Sequence, residues 1–436
     1  MFEEVSREMM DFIVRSPSCF HVVENLAGQL RKAGFQELPE QTHWAVAPGG
    51  AYFTTRNGSA LIAFRAPQQK PVGFLIAAAH SDAPCLKLKP LPERRDGHYV
   101  RLNVEKYGGA ILRPWMDRPL SVAGRVLVED EGGVSTRLVC IDRDLLLIPS
   151  LAIHMDPKVN EGTALNPQVD MLPLFGSETT AGAFGALIAK AADVEPERIL
   201  DADLFTYVRE SGRIWGGAGE FIASPRLDDL QCVWAAAQAV MTAASPTHLD
   251  VCAVFDNEEV GSGTKQGACG TFLADVLERA GAGLGMTREE RLAAIPSSLM
   301  LSADNGHAIH PNHPEKADEE NHPHLNGGVV IKYSANQRYT SDGVSAALFR
   351  AICKRENIPV QVFANRSDMP GGSTLGNLSS AQVSLNTVDI GLAQLAMHAP
   401  VETAGVRDTA YLKQALTAFY GSTVRCTERG AYLLGD

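Results

Sequence analysis

Clustered positive charge is missing from this chain of 436 residues: 39 Lys and Arg stand against 51 Asp and Glu, a formal charge of −12. That excludes the cationic face that nucleic acid requires, and with it electrostatic docking on anionic membrane. Long apolar runs are missing too. The longest weakly polar stretch, Cys232 to Ala244, contains Gln238 and falls short of the roughly 20 residues that span a bilayer, so it reads as a core helix. The opening residues include Glu3 and Glu4 and no apolar leader segment, which points to the cytoplasm. No C-x-x-C pair occurs among the eight cysteines, which sit mostly in apolar surroundings. They read as free core thiols, with no disulfide, cysteine-bound zinc or nucleophile among them. Low-complexity tracts and internal repeats are absent, which excludes a disordered tail and a solenoid.

What is present is a chain long for one simple domain, so two domains or one interrupted domain are expected. Apolar residues recur at helical spacing through Val5, Met9, Phe12 and Ile13, and again through Val22, Val23, Leu26 and Leu30. A strand then runs from Val72 to His80. Beyond Lys89 the texture becomes alternating and turn-rich, with a hairpin formed by Gly124–Val128 and Thr136–Cys140. After Ser224-Pro225, strands near Leu249–Phe255, Ser297–Ser302, Val329–Tyr333, Val360–Ala364 and Val383–Val388 alternate with helical runs such as Gly343–Arg355. This pattern predicts an α/β fold: a mostly parallel central sheet flanked by helices, built from residues 1–90 and 224–436, with a β-rich insertion at 91–223.

The chemistry gathers at predicted strand ends. Val251 to Phe255 leads into Asp256-Asn257-Glu258-Glu259, where neighbours on an extended chain point to opposite sides; one acid can face a metal and the other the substrate, provided the backbone turns between them. His80 ends its strand with Asp82 two residues on, placed to orient the second ring nitrogen. Asp228 and Asp229 follow Ser224 and Pro225, a plausible helix cap and first turn, where acids also suit the helix dipole. Asp304 closes an apolar strand, and His398 lies behind another. Alone, each has an ordinary structural reading. Together, two imidazoles and three carboxylates form a mixed N/O set suited to zinc and related ions, a shared Asp can bridge two of them, and one of Glu258 and Glu259 is left to move protons. Lys332, inside the apolar run Val329–Tyr333, reads either as a strand-edge Lys snorkelling to water or as a buried cation with a partner. His310, His313, His322 and His324 read as charged loop residues.

The blocks SPSCFHVVENL, AHSDAPCLKLKP, EKYGGAILRPWMDRPLSVAGRV, IPSLAIHMDPKVNEG, SPRLDDL, FDNEEVGSGTKQGA, SADNGHAIHPNHPEK, VVIKYSANQRYT and TVDIGLAQLAMHAPVET occur in this order. Through them nearly the whole chain resembles the aspartyl aminopeptidase family, zinc metallopeptidases with a co-catalytic metal pair. The resemblance implies that His80 and Asp304 bind one zinc, Glu259 and His398 the other, and that Asp228 bridges them. It makes Glu258 the general base, counted with Asp82 as catalytic. It assigns substrate contacts to His154, His307, Lys332 and Tyr339, with Lys332 pairing an acidic N-terminal side chain. It also has His154 shape the pocket from a neighbouring subunit, or serve as a further ligand. Cobalt or manganese would substitute for zinc, peptides would be the substrates, and the assembly would be a tetrahedral homododecamer, with the insertion acting in oligomerisation or as a lid.

Three positions depart from the family pattern: Asp229 stands where Asn is common, Asn305-Gly306 where bulkier or apolar residues are frequent, and Val401 where Arg often precedes Glu402. None removes a proposed ligand. The alternatives are an aminopeptidase preferring neutral residues, a hydrolase of acylated amino acids or other amides, and a noncatalytic scaffold.

Overall fold

The computed structural model describes residues 2–242, 246–428 and 430–435. Its main layer is a nine-stranded sheet in the order Gln36–Glu37, Ala51–Arg56, Ala60–Arg65, Leu249–Phe255, Phe74–His80, Leu299–Ala303, Asn386–Gly391, Val329–Tyr333, Val360–Ala364. Five of the eight pairings are parallel, and the four strands from Leu249–Phe255 to Asn386–Gly391 form a wholly parallel centre. The α/β expectation therefore holds, with antiparallel pairings on either side of that centre.

Central strands read as continuous apolar runs because helices cover both faces. Every residue of Phe74–His80 and of Leu249–Phe255 is buried. One face packs against the helices Phe2–Val14, Cys19–Lys32, Leu227–Thr242, Gly343–Arg355 and Asp408–Tyr420; the other packs against Phe272–Gly283. Ala243 and Ala244, the end of the Ala-rich stretch, lie outside the described residues. Among the described residues no helix is long and apolar enough to cross a membrane.

A second, six-stranded sheet runs Gly133–Cys140, Leu120–Asp130, Ile199–Val208, Cys85–Arg95, Tyr99–Tyr107, Leu174–Ser177, all antiparallel, over its own apolar core. The predicted hairpin is its edge, with Gly124 opposite Val139. A third sheet, Arg213–Trp215, Phe221–Ser224, Glu402–Gly405, Ala393–Leu395, Gly306–His307, brings distant segments to the carboxyl end of the main sheet.

Two local readings are corrected. Ser224 is the last residue of a strand and caps no helix, and Asp228 (φ −82°, ψ 107°) and Asp229 (φ −121°, ψ 22°) are non-helical, so regular helix begins after them. Tertiary bonds to Glu402 and to the His80 backbone hold these acids, and the helix dipole does not. The strand expected at Val383–Val388 begins at Asn386, because Val383 donates its N–H to Ser379 and closes the turn that ends the short helix Leu375–Ser379.

Candidate metal centre

Parallel central strands all release their chains on one side of the sheet, where open α/β sheets hold ligands. His80 is the last residue of its strand and is 1% exposed. Asp304 follows Leu299–Ala303 directly, and Glu258 and Glu259 follow Leu249–Phe255. His398, at φ 67°, comes from beyond Ala393–Leu395, and Asp228 from the segment entering the Ala-rich helix. The Asp228–Asp229 peptide is cis.

The backbone turns at the two glutamates, the condition under which one acid can face a metal and the other the substrate. They share one tight turn, Glu258–Val260, entered through Asn257 in the left-handed region (φ 61°, ψ 25°). Asp82 holds that turn: its Oδ1 accepts the N–H of Glu258 at 3.1 Å and its Oδ2 the N–H of Glu259 at 3.2 Å. Tyr107 adds an O–H bond to Asp82 Oδ2 at 2.8 Å and receives Asn257 Nδ2 at 2.9 Å. For His80 the nearer partner of Nδ1 is the backbone carbonyl of Asp82 at 3.1 Å, with the carboxylate at 3.4 Å.

Asp228 lies between both imidazoles. Its Oδ1 is 3.5 Å from His80 Nε2, and its Oδ2 is 3.5 Å from His398 Nε2. Glu259 Oε1 stands 3.4 Å from His398 Nε2, and Asp304 Oδ1 4.0 Å from His80 Nε2. Charge-assisted N–H···O bonds close to about 2.7–2.9 Å, whereas donors about 2.0–2.1 Å from a tetrahedral ion stand about 3.4 Å apart. The spacing is that of donors around an ion. Asp228 Oδ1 and Glu259 Oε1 are moreover buried without a hydrogen-bond partner, a costly state that a bound cation relieves.

Three groups among the described residues have all their donor atoms within 4.8 Å of one another: His80–Asp228–Asp304, Asp228–Glu259–His398, and His80–Glu258–Glu259. The first two share Asp228. The donor set of imidazole and carboxylate fits zinc.

The field favours a cation here. Burial raises Glu258 to about 7, and Asp304, Asp82 and Asp228 push the same way against His80. Burial raises Asp304 to about 6 despite the ammonium of Lys332. Burial alone would lower His398, but Asp228 and Glu259 carry it up to about 10. Burial would raise Asp228, yet the imidazoles facing it hold it below the ordinary carboxylate range.

The six-stranded sheet closes one side. A Cβ on Gly108 (φ +73°) would meet Glu259 Cβ at 3.0 Å, and one on Gly109 would meet His398 Nδ1 at 3.1 Å, so the Gly-Gly pair lets this backbone lie against the ligands. Lys332 is 1% exposed, with Nζ 3.4 Å from Asp304 Oδ2, 3.2 Å from the Asn305 carbonyl and 5.2 Å from the Tyr339 ring centroid. The snorkelling reading is thereby overturned. His307 is exposed and lines a cleft of about 320 Å³ with Phe363, Leu395 and Arg366. His154 lies on an exposed loop and belongs to no ligand group among the described residues. His310, His313 and His324 are exposed loop residues and His322 is half-buried; none joins a ligand group among the described residues. Sequence reasoning missed Glu402, Gln394 and Tyr107. The signal for Tyr107 was the adjoining Gly-Gly; Glu402 and Gln394 gave none.

With this geometry established, residues 12–420 match the family model described as aminopeptidase I zinc metalloprotease (M18). The chain belongs to the M18 family. Among its relatives is a probable M18 family aminopeptidase 2 of Clostridium acetobutylicum, 44% identical over 96% of this chain and 98% of the relative. A chain of the Ape4 and Nbr1 complex, solved by cryo-EM, matches with TM-score 0.93 and 36% identity, over 96% of this chain and 86% of that one. The S. cerevesiae mApe1 dodecamer matches with TM-score 0.84 and 28% identity, over 96% and 97%. As an M18 member the chain is a zinc metalloaminopeptidase.

Proposed function

We propose that this M18 chain removes an N-terminal Asp or Glu from unblocked peptides with two zinc ions per subunit. His80, Asp304 and Asp228 hold one ion, and Glu259, His398 and Asp228 the other; cobalt or manganese can replace zinc. The observation that carries the two-ion reading is the placement of Asp228, one oxygen facing each imidazole at 3.5 Å. When bound, such a pair supplies Lewis-acid polarisation of a carbonyl and a lowered water pKa.

The protein's own groups do the rest. Glu258, raised to about 7 by burial, accepts the proton of the attacking water and returns it to the leaving amine. Asp82 fixes its backbone. His307 and Tyr339 border the substrate's first residue, with the adjoining cleft receiving peptide. Lys332 supplies the positive charge for an acidic side chain.

Residues 91–223 serve as an oligomerisation and lid domain. Supporting this, Leu151, Ile153 and Met155 on the His154 loop are 57%, 50% and 71% exposed, an apolar surface suited to a second copy. By analogy with the mApe1 dodecamer, the assembly is a tetrahedral homododecamer in which His154 reaches a neighbour's site. The cytoplasm is the inferred location.

One observation favours a second reading: the Lys332 ammonium already faces Asp304, which suits a pocket for neutral residues. Release of the first residue from Asp-, Glu-, Leu- and Lys-initiated peptides separates the two. Preference for Asp and Glu supports the first reading, and preference for Leu the second.

A further inference from the structure

Three carboxylates grip backbone around the metal site: Asp82, Asp229, whose Oδ2 accepts the N–H of His80 at 3.1 Å, and Glu402. The mechanism uses only Asp82, and of the other two only Glu402, 2% exposed at the start of Glu402–Gly405, binds the backbones of two ligands. Its Oε2 accepts the N–H of Asp228 at 3.0 Å, and its Oε1 accepts the N–H of His398 at 2.8 Å and Gln394 Nε2 at 3.2 Å. All three donors are neutral amides. A carboxylate is costly to bury, and here it binds the backbones of two ligands that lie far apart in the chain. It ties the Asp228 segment directly to the His398 loop.

The anchor is itself held. Gln394, 1% exposed, accepts Asn305 Nδ2 through its Oε1 at 2.8 Å. Asn305, 3% exposed, adjoins the ligand Asp304, donates to the Leu227 carbonyl at 3.1 Å and accepts the Leu392 N–H at 3.1 Å. An unbroken line of buried side chains, two amides and the Glu402 carboxylate, thus runs from Asp304's neighbour to the backbones of Asp228 and His398. Cross-linking of this kind sets ligand spacing without touching the ion.

We propose that Glu402, held by Gln394 and Asn305, is a positioning residue for the Asp228–Glu259–His398 metal subsite. The proposal rests on the two-ion reading above.

The test is equilibrium titration of the chelator-treated full chain with zinc, with bound ions counted by elemental analysis. Wild-type protein takes up two ions per subunit. Glu402→Gln weakens the ion held with His398 about 10–100-fold and the ion at His80, which shares only Asp228 with that anchor, to a smaller extent. Gln394→Leu, a milder change that decides the matter if Glu402→Gln fails to fold, weakens the ion held with His398 by a smaller factor. The control is Asp408→Asn, a change to another buried carboxylate that accepts two backbone N–H groups, from Asn326 at 2.7 Å and Gly328 at 3.0 Å. It lowers stability and leaves both zinc affinities unchanged. Wild-type affinities in both Glu402→Gln and Gln394→Leu overturn the proposal, as does an equal zinc loss in Asp408→Asn. A wild-type chain that takes up fewer than two ions overturns the two-ion reading itself, and with it the subsite proposed here.

Discussion

The Asp82 carboxylate accepts the backbone N–H of Glu258 at 3.1 Å. The proposed general base is therefore aimed through its main chain, leaving its side chain free to meet a water. Asp82→Asn puts an amide donor against one of the two N–H groups of this turn. We expect kcat/KM to fall about 10–100-fold, in the range of other outer-sphere changes at metal sites, with the fold retained. Steady-state kinetics beside circular dichroism measures this, and unchanged kcat/KM contradicts it.

Glu258→Gln keeps the shape of the side chain and removes its basicity. Turnover should fall by about 10²–10⁴-fold, while elemental analysis still finds the wild-type zinc content. Near-normal kcat removes Glu258 from proton transfer.

Lys332→Ala tests the charge proposed for the first pocket. Charge-assisted bonds contribute about 1.5–3 kcal/mol, so activity on Asp- and Glu-initiated peptides should drop about 10–100-fold and activity on Leu-initiated peptides much less. Equal losses on both assign Lys332 to the support of Asp304, which its 3.4 Å approach also permits.

His21 gives the fold a dependence on acid. Burial and the nearby Arg226 charge lower it from 6.5 to about 4, while Ser18 Oγ lies 2.8 Å from its Nδ1. The unfolded chain binds a proton here between those values and the folded chain does not. Stability from this group is therefore complete above pH 6.5 and is lost as pH falls towards 4, by at most about 3 kcal/mol. His21→Gln removes that loss. Urea unfolding of both proteins from pH 7 to pH 4 checks it; parallel curves contradict it.

Much of the fold was legible because burial on both faces leaves a plain mark. Leu249–Phe255, Val329–Tyr333 and Val360–Ala364 lie where apolar runs placed them, and the helix Gly343–Arg355 starts at Asp342, whose carboxylate accepts the N–H of Val344 and Ser345. His80 and Asp304 were legible for the same reason: a polar residue ending a buried strand stands out. What holds the turn at Glu258 was not, since its donors are satisfied by Asp82, 176 residues away. Glu402 left no mark either, because its role depends on Asp228, 174 residues distant. Local pattern reveals periodicity and caps, whereas partners chosen by the tertiary fold appear only once the strands are assembled.

The most direct test of the central claim is peptide hydrolysis by chelator-treated protein as zinc is returned stepwise. The two-ion site predicts no release of the N-terminal residue without metal and a rise that breaks at two equivalents per subunit. Full activity after chelation, or two bound zinc ions with no release from any unblocked peptide, contradicts it.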